Sequence, residues 1–160
     1  MQISEPPALT LGRARVTMHC PPEVGVMAVR MELSRILIAD QHDLNVIELL
    51  EVDGERTFPI LIGVVEAEAI KRRLQGIELK RPLTHELMMS IIDAFGGTLR
   101  EIRINDLDDH TFFALLIVDT DDDRVMEIDS RPSDAIALAV AAEIPIFVEE
   151  SVIESAMSDL

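Results

Sequence analysis

The sequence contains little of several residue types on which common protein activities depend. Its single cysteine, Cys20, excludes an internal disulfide and any cysteine-rich zinc site. Tryptophan and tyrosine are absent, so the best stacking platforms for single-stranded nucleic acid are missing, and only five phenylalanines remain. No apolar run reaches the length of a membrane span, and the first residues lack the pattern of a signal peptide. Together these absences favour a cytoplasmic protein without a membrane partner.

Positive charge is also scarce. Fourteen lysines and arginines face 30 aspartates and glutamates, and the formal net charge of -16 opposes general attraction to nucleic acid. Five basic residues nevertheless fall in one short window, where they are candidates for binding a phosphate backbone: Lys71, Arg72, Arg73, Lys80 and Arg81. The alternative is that the first three form the solvated face of a helix.

The length and the apolar fraction indicate one domain. A chain of 160 residues with 48% hydrophobic residues is long enough to bury a core. Residues 1–30 contain two Pro-Pro pairs and no sustained periodicity, which predicts a loose N-terminal arm. The domain is expected over residues 31–155, followed by a short C-terminal tail at 156–160.

Apolar periodicity and turn residues predict the regular elements. Strands are expected at residues 34–39, 44–51, 57–62, 98–104, 111–118, 124–129 and 144–148. Helices are expected at residues 65–74, 84–95, 133–142 and from residue 152 onward. The three strands between residues 98 and 129 read as an antiparallel meander, and Pro59 indicates an edge strand or a bulge. Because strands and helices do not alternate regularly, the fold class is α+β: a mixed, largely antiparallel sheet with three to four helices packed on it.

Two of the helices carry clear start signals. Thr84 and Ser133 are expected to be N-caps, since their hydroxyl groups can accept a hydrogen bond from the first turn. In the helix at 84–95, Met88, Met89 and Phe95 belong to an apolar stripe that is expected to face the core.

Three segments resemble the bifunctional nuclease family. They read PILIGVVEAEAI at residues 59–70, RPLTHEL at 81–87 and DSRPSDAIALA at 129–139, with PIFV following at 145–148. Each alone is a weak match, but the three together, in this order and spacing, are specific from about Met31 to Val152. The resemblance implies hydrolysis of phosphodiester bonds in both RNA and DNA.

The same segments contain residues suited to that chemistry. His85, at a helix start, can act as a general acid or base. Asp129 and Asp134 can hold a divalent metal such as Mg²⁺ or Mn²⁺, which prefer oxygen ligands. Arg131 can contact a phosphate through two parallel hydrogen bonds, and Glu66 begins another helix just beyond a strand. These five residues are the candidate catalytic residues, with single-stranded RNA or DNA as the expected substrate.

A structural interpretation accounts for the same residues. Arg131 can pair with Asp129 or Asp134, and Glu66 can pair with Arg131, so that the motif residues form an ion-pair network. The protein is then a non-catalytic oligomeric binding or regulatory module. A third hypothesis is a metal-dependent hydrolase of a small phosphorylated molecule. The high apolar content of so acidic a chain favours a homo-oligomer in each case.

Overall fold

Strands and helices alternate irregularly in the computed structural model, which describes residues 16–19, 27–38, 45–77 and 80–158. The strands are β1 (Val16–His19), β2 (Ala28–Leu37), β3 (Asn45–Glu51), β4 (Thr57–Ile62), β5 (Gly97–Asp108), β6 (Thr111–Thr120), β7 (Val125–Ser130) and β8 (Ile146–Glu149). The helices are α1 (Val64–Leu74), α2 (Thr84–Ala94), α3 (Pro132–Ala142) and α4 (Glu150–Ser158). The predicted α+β class is confirmed.

The eight strands form one sheet in the order β1-β7-β6-β5-β8-β2-β3-β4. Each neighbouring pair is antiparallel except β5 and β8, which are parallel, so the sheet is mixed and largely antiparallel as predicted. The meander of β5, β6 and β7 is confirmed. The edge position of β4 is confirmed as well, and an edge strand tolerates Pro59 because a missing N–H group costs no ladder hydrogen bond there.

One face of the sheet carries the core. Alternate residues of neighbouring strands meet on this face, as where Ile102 of β5 lies opposite Leu116 of β6 and Ile146 of β8, all of them buried. Buried residues of α1, α3 and α4 complete the same apolar cluster. The segment 135–139 of α3 is buried throughout, which makes α3 the central helix of the layer.

The predicted N-terminal arm contains β1, which pairs antiparallel with β7 at the other sheet edge. The rest of the arm before residue 27, including Cys20, lies outside the described residues. The expected boundaries at residues 31 and 155 fall inside β2 and α4, respectively.

The predicted N-cap of α3 is wrong. Arg131 occupies the N-cap position and Pro132 the first helical position, where its fixed φ favours a helix and its missing N–H group is not needed. Ser133 therefore lies inside the first turn of α3, where only 8% of it is exposed.

The predicted N-cap of α2 is also wrong by one residue. The N-cap position is Leu83, whose backbone N–H donates to Glu86 Oε2 at 3.1 Å. Glu86, in the first turn, thus caps α2 in place of Thr84.

The apolar stripe of α2 is only partly buried. Met88 and Met89 pack against the core as predicted, but Phe95 is 88% exposed, so its assignment to the core is wrong. The helix ends at Ala94, and Gly96 follows with a φ of 74°, which turns the chain toward β5 before the Phe95 side chain can reach the core.

None of the helices in the described part of the chain is both long and apolar enough to cross a bilayer. The cytoplasmic location stays a prediction.

Candidate active site

The first turns of α1 and α3 lie side by side and are joined by Arg131. Its Nη2 donates to Glu66 Oε1 on α1 at 2.7 Å, and its Nε donates to Asp134 Oδ2 on α3 at 2.7 Å. Glu66 and Asp134 both belong to the first turn of their helix, where a carboxylate is favoured by the helix dipole. One guanidinium therefore holds two helix N-termini together.

A third helix start completes the arrangement. His85, in the first turn of α2, places its Nε2 3.3 Å from Asp134 Oδ1. Asp134 thus uses one oxygen for His85 and the other for Arg131. Glu66, His85, Arg131 and Asp134 are called the Arg131 cluster below. Four of the five predicted catalytic residues meet in it, from three different helices.

The Arg131 cluster is covered on one side and open on the other. The side chains of His85 and Glu66 are only 12% and 13% exposed, whereas that of Arg131 is 67% exposed. The histidine and the carboxylates are therefore held in defined positions, and the guanidinium faces solvent, where a ligand can reach it.

The electrostatics of the cluster favour an ionised Asp134. The hydrogen bond with His85 and the ion pair with Arg131 lower the pKa of Asp134, although partial burial acts in the opposite direction. The same pairing with Asp134, reinforced by Glu66, raises the pKa of Arg131. A histidine bound to an ionised carboxylate is held in one orientation, which prepares it for proton transfer.

Gly63 at the N-cap of α1 leaves room for Glu66. Its φ of -74° is one that any residue can adopt, so the backbone conformation here does not require glycine. A Cβ at this position would overlap Glu66 Oε2, because the carboxylate folds back over the glycine. The absence of a side chain thus helps to set the position of Glu66.

A cavity of about 740 Å³ adjoins the Arg131 cluster. Arg131, Pro132 and Ser133 form the wall nearest the cluster, and Gly63 belongs to the same rim. The remaining walls come from β3 and β4, from the β5–β6 hairpin and from Ala156 of α4. The volume lies within the range of ordinary small-molecule sites.

The structure does not bring Asp129 into the cluster. Asp129 lies opposite Leu115 in the β6–β7 ladder, while the next residue, Ser130, lies opposite the buried core residue Ala114. Successive strand residues point to opposite faces, so Asp129 projects from the face of the sheet away from the helices. Asp129 is therefore separated from the Arg131 cluster, in which it was predicted to act.

The arrangement also bears on the predicted metal ligands. Asp129 and Asp134 lie on different faces of the sheet, and both oxygens of Asp134 already have partners. Among the described residues, no three side chains of His, Cys, Asp and Glu are grouped to hold a metal ion. As arranged, this pair does not fit as a shared metal site, and the divalent metal stays a prediction.

The basic window divides between two places. Arg73 donates to the backbone oxygen of Ala141 at the C-terminal end of α3, and Lys71 pairs with Glu68 at 3.4 Å. Lys71, Arg72 and Arg73 therefore belong to the end of α1 farthest from Glu66. Lys80 and Arg81, in contrast, are exposed in the segment that leads into α2 and His85.

Two features of this region escaped the sequence analysis. The cavity is lined in part by Thr111 and Phe112, which lie outside the three motif segments. Arg56 forms a second carboxylate–arginine cluster with Glu51 and Glu150. Arg56 and Glu150 are 94 positions apart, so no local pattern signals their contact.

Comparisons with known proteins agree with the arrangement of motifs. The bifunctional nuclease domain matches residues 47–160. An uncharacterized protein of Mycobacterium tuberculosis is 42% identical over 134 residues, which cover 84% of this chain and 75% of that protein. Bifunctional nuclease 2 of Oryza sativa subsp. japonica is 28% identical over 104 residues, 64% of this chain and 32% of the rice protein. Bifunctional nuclease 1 of Arabidopsis thaliana is 26% identical over 94 residues, 58% of this chain and 29% of that protein. The chain belongs to the bifunctional nuclease family.

Proposed function

We propose that this protein is a nuclease that hydrolyses phosphodiester bonds in RNA and DNA at the Arg131 cluster. The observation that carries the proposal is the meeting of three helix N-termini, which bring His85, Asp134 and an exposed Arg131 together. Family membership and the names of the plant relatives agree with it.

In this proposal His85 transfers the proton. When Nε2–H donates to Asp134 Oδ1, the lone pair of the imidazole lies on Nδ1, which can accept a proton from the attacking water. Asp134 stays ionised because its pKa is lowered, so it fixes the imidazole in this tautomer and stabilises the imidazolium that forms.

Arg131 and the start of α3 bind the phosphate. The bonds to Asp134 and Glu66 use Nε and Nη2, and Nη1 takes part in neither of them. The backbone N–H groups in the first turn of α3 add donors and the positive end of the helix dipole. Donors fixed before the reaction stabilise the negative charge that develops on the phosphate oxygens. Glu66 is a positioning residue that holds the guanidinium from the other side.

The substrate is expected to be single-stranded and bound without sequence preference. Arg131, Lys80 and Arg81 contact the phosphate backbone in this proposal, and backbone contacts do not distinguish bases. Binding by so few cations to a protein of net charge -16 will weaken steeply with added salt. A divalent metal ion stays a prediction, and cleavage with added Mg²⁺ or Mn²⁺ and with EDTA measures whether it is needed.

The test is cleavage of single-stranded RNA and DNA by the purified protein, with added Mg²⁺ or Mn²⁺ and with EDTA. We expect His85→Ala and Asp134→Asn to reduce the rate by at least about 100-fold, as is usual for loss of general acid–base catalysis. Asp119→Asn is the matched control, because Asp119 belongs to an exposed ion pair with Arg100 on the sheet. Rates that are equal in all four proteins would sink the assignment of roles.

A non-catalytic oligomeric binding module is the second candidate, and two observations favour it. Arg131 is already paired with two carboxylates, which is sufficient for a structural role. One side of α2 also presents exposed apolar residues at a spacing of four: Leu83, Leu87, Ile91 and Phe95. A homo-oligomer would bury this stripe. This candidate predicts no turnover with any metal, and an Arg131→Ala variant whose melting temperature falls or whose oligomer dissociates in sedimentation.

A further inference from the structure

We infer that the 740 Å³ cavity beside Arg131 receives one unpaired nucleobase, whose phosphate lies on Arg131 and the first turn of α3. The inference rests on the proposed function and adds a base-binding subsite to it. No predicted site residue other than Arg131 lines this cavity.

Most of the residues that line the cavity are apolar, and its polar lining residues come from two segments of the chain. Leu61 on the edge strand β4 is 63% exposed and forms part of one wall. Arg131 and Ser133 are the polar lining residues at the start of α3, and His110 and Thr111 are those of the β5–β6 hairpin. A ligand that matches both parts needs a flat apolar body and an anionic group attached to it, which is the chemistry of a nucleotide.

Phe112 supplies an aromatic surface inside the cavity. Its ring stacks on that of Phe58 with centroids 5.7 Å apart and an interplanar angle of 24°. Phe58 lies in the core and is only 1% exposed, so it holds one face of the Phe112 ring in place. A fixed aromatic ring is a platform on which any base can stack. The lack of tryptophan and tyrosine therefore does not deprive the protein of a stacking residue.

The position of Ser133 indicates that the ligand carries a polar group near Arg131. It is more than nine-tenths buried, it lines the cavity, and its hydroxyl makes no hydrogen bond within the described residues. Ser133 Oγ is not among the fully buried unpaired atoms of the described residues, so water or a ligand can reach this hydroxyl. Its place in the first turn of α3 puts it beside the free backbone N–H groups, where a phosphate or a sugar hydroxyl can accept or donate a hydrogen bond.

Binding of intact and abasic strands tests the inference. The two labelled single strands have equal length and charge, and the abasic one carries tetrahydrofuran sites in place of nucleosides. Fluorescence anisotropy with the His85→Ala protein avoids cleavage during the titration. We expect the abasic strand to bind roughly tenfold more weakly, in line with the effect of losing one stacked base. Equal affinities would overturn the inference.

A cavity-filling variant locates the effect. Thr111 is exposed and lines the cavity, so Thr111→Met should occupy part of the space without breaking the core and without adding a ring that could stack on a base. We expect this variant to lose the preference for the intact strand and to keep its affinity for the abasic strand. Thr98→Met, at an exposed position on β5 that does not line the cavity, is the matched control and should retain the preference. A preference that persists in Thr111→Met would overturn the placement of the base.

The assay separates failure of this inference from failure of the proposed function. Cleavage by the wild type without any base preference in binding overturns the cavity inference and leaves the nuclease proposal standing. Base preference without cleavage supports the cavity and contradicts the nuclease. Competition by adenosine 5′-monophosphate, with ribose 5-phosphate as control, supports the same site with a free nucleotide as its ligand.

Discussion

Two carboxylate–arginine–carboxylate clusters in this protein look alike and differ in three respects. In the Arg56 cluster, formed by Glu51, Arg56 and Glu150, the arginine joins the β3–β4 hairpin to the start of α4. In the Arg131 cluster, the arginine joins α3 to α1. The Arg56 side chain is 32% exposed, whereas that of Arg131 is 67% exposed. Only the second cluster, of these two, includes a histidine and borders the 740 Å³ cavity.

Comparison of the two clusters shows which features distinguish a candidate site from an ion pair that supports the fold. An arginine between two carboxylates occurs in both places, so this feature does not indicate function. The Arg56 cluster has a bidentate bond to Glu51, with Nε–Oε2 at 2.8 Å and Nη2–Oε1 at 2.9 Å, which suits a structural contact. The histidine, the exposed guanidinium and the cavity set the Arg131 cluster apart.

The largest expected effect is on cleavage by arginine variants. Arg131→Ala should reduce the rate about 100-fold, because it removes a donor that stabilises charge in the transition state. Arg56→Ala should leave the rate of the folded protein within about twofold. Arg56 lies outside the Arg131 cluster and does not line the cavity, so it supplies no donor beside the reacting group. Initial rates on one labelled single strand, with folding checked by circular dichroism, measure both. Equal losses in the two variants would erase the distinction between the clusters.

A smaller effect is expected from adding one methyl group to each cluster. Gly63→Ala displaces the Glu66 carboxylate and should lower the cleavage rate several-fold, roughly tenfold at most, through the positioning of Arg131. Gly54→Ala is a close match, since a Cβ there would overlap the carboxylate of Glu51 in the Arg56 cluster. We expect the rate to be unchanged in Gly54→Ala. Cleavage rates that fall equally in both glycine variants would indicate a general loss of stability instead.

Urea unfolding should rank the clusters in the opposite order. A double-mutant cycle with Glu66→Gln and Arg131→Ala should give a coupling free energy of about 0.5–1 kcal/mol, because the guanidinium is mostly exposed. The corresponding cycle with Glu51→Gln and Arg56→Ala should give a larger coupling, because the bond is bidentate and the arginine is less exposed. A stronger coupling in the Arg131 cluster would favour its structural interpretation.

The smallest effect concerns acid stability. The pKa of Asp134 is lowered, so its ionised form favours folding. This contribution is complete above the ordinary aspartate value of about 3.9 and is lost as the pH falls through the lower value of the folded protein. The melting temperature of Asp134→Asn should therefore lie below that of the wild type at pH 6, and the difference should shrink as the pH falls below about 4. A difference independent of pH would contradict the assignment of the lowered pKa.

The sequence predicted which residues belong to the site but not that they contact one another. The motifs place Glu66, His85 and Asp134 at three helix starts, as the structure confirms. Whether these starts converge depends on contacts across 49 and 65 positions, which no local pattern contains. The place of Asp129 could have been predicted, because strand alternation puts Asp129 and Ser130 on opposite faces.

Other failures have local physical causes. Pro132 moved the N-cap of α3 to Arg131, and Glu86 capped α2 in place of Thr84. The period of a helix predicts which residues share a side but not whether another element covers that side, so Phe95 was assigned to the core and is exposed.

The position of β8 has a consequence for how the chain folds during synthesis. This four-residue strand lies between β5 and β2, and it joins the group β1-β7-β6-β5 to the group β2-β3-β4. It comes after both groups in the chain, so a ribosome produces β2 to β7 before the strand that links them exists. Until Ile146–Glu149 emerges, the edges of β2 and β5 have no partner and can pair wrongly with other chains. Correct assembly of the sheet therefore depends on one of its shortest and latest strands.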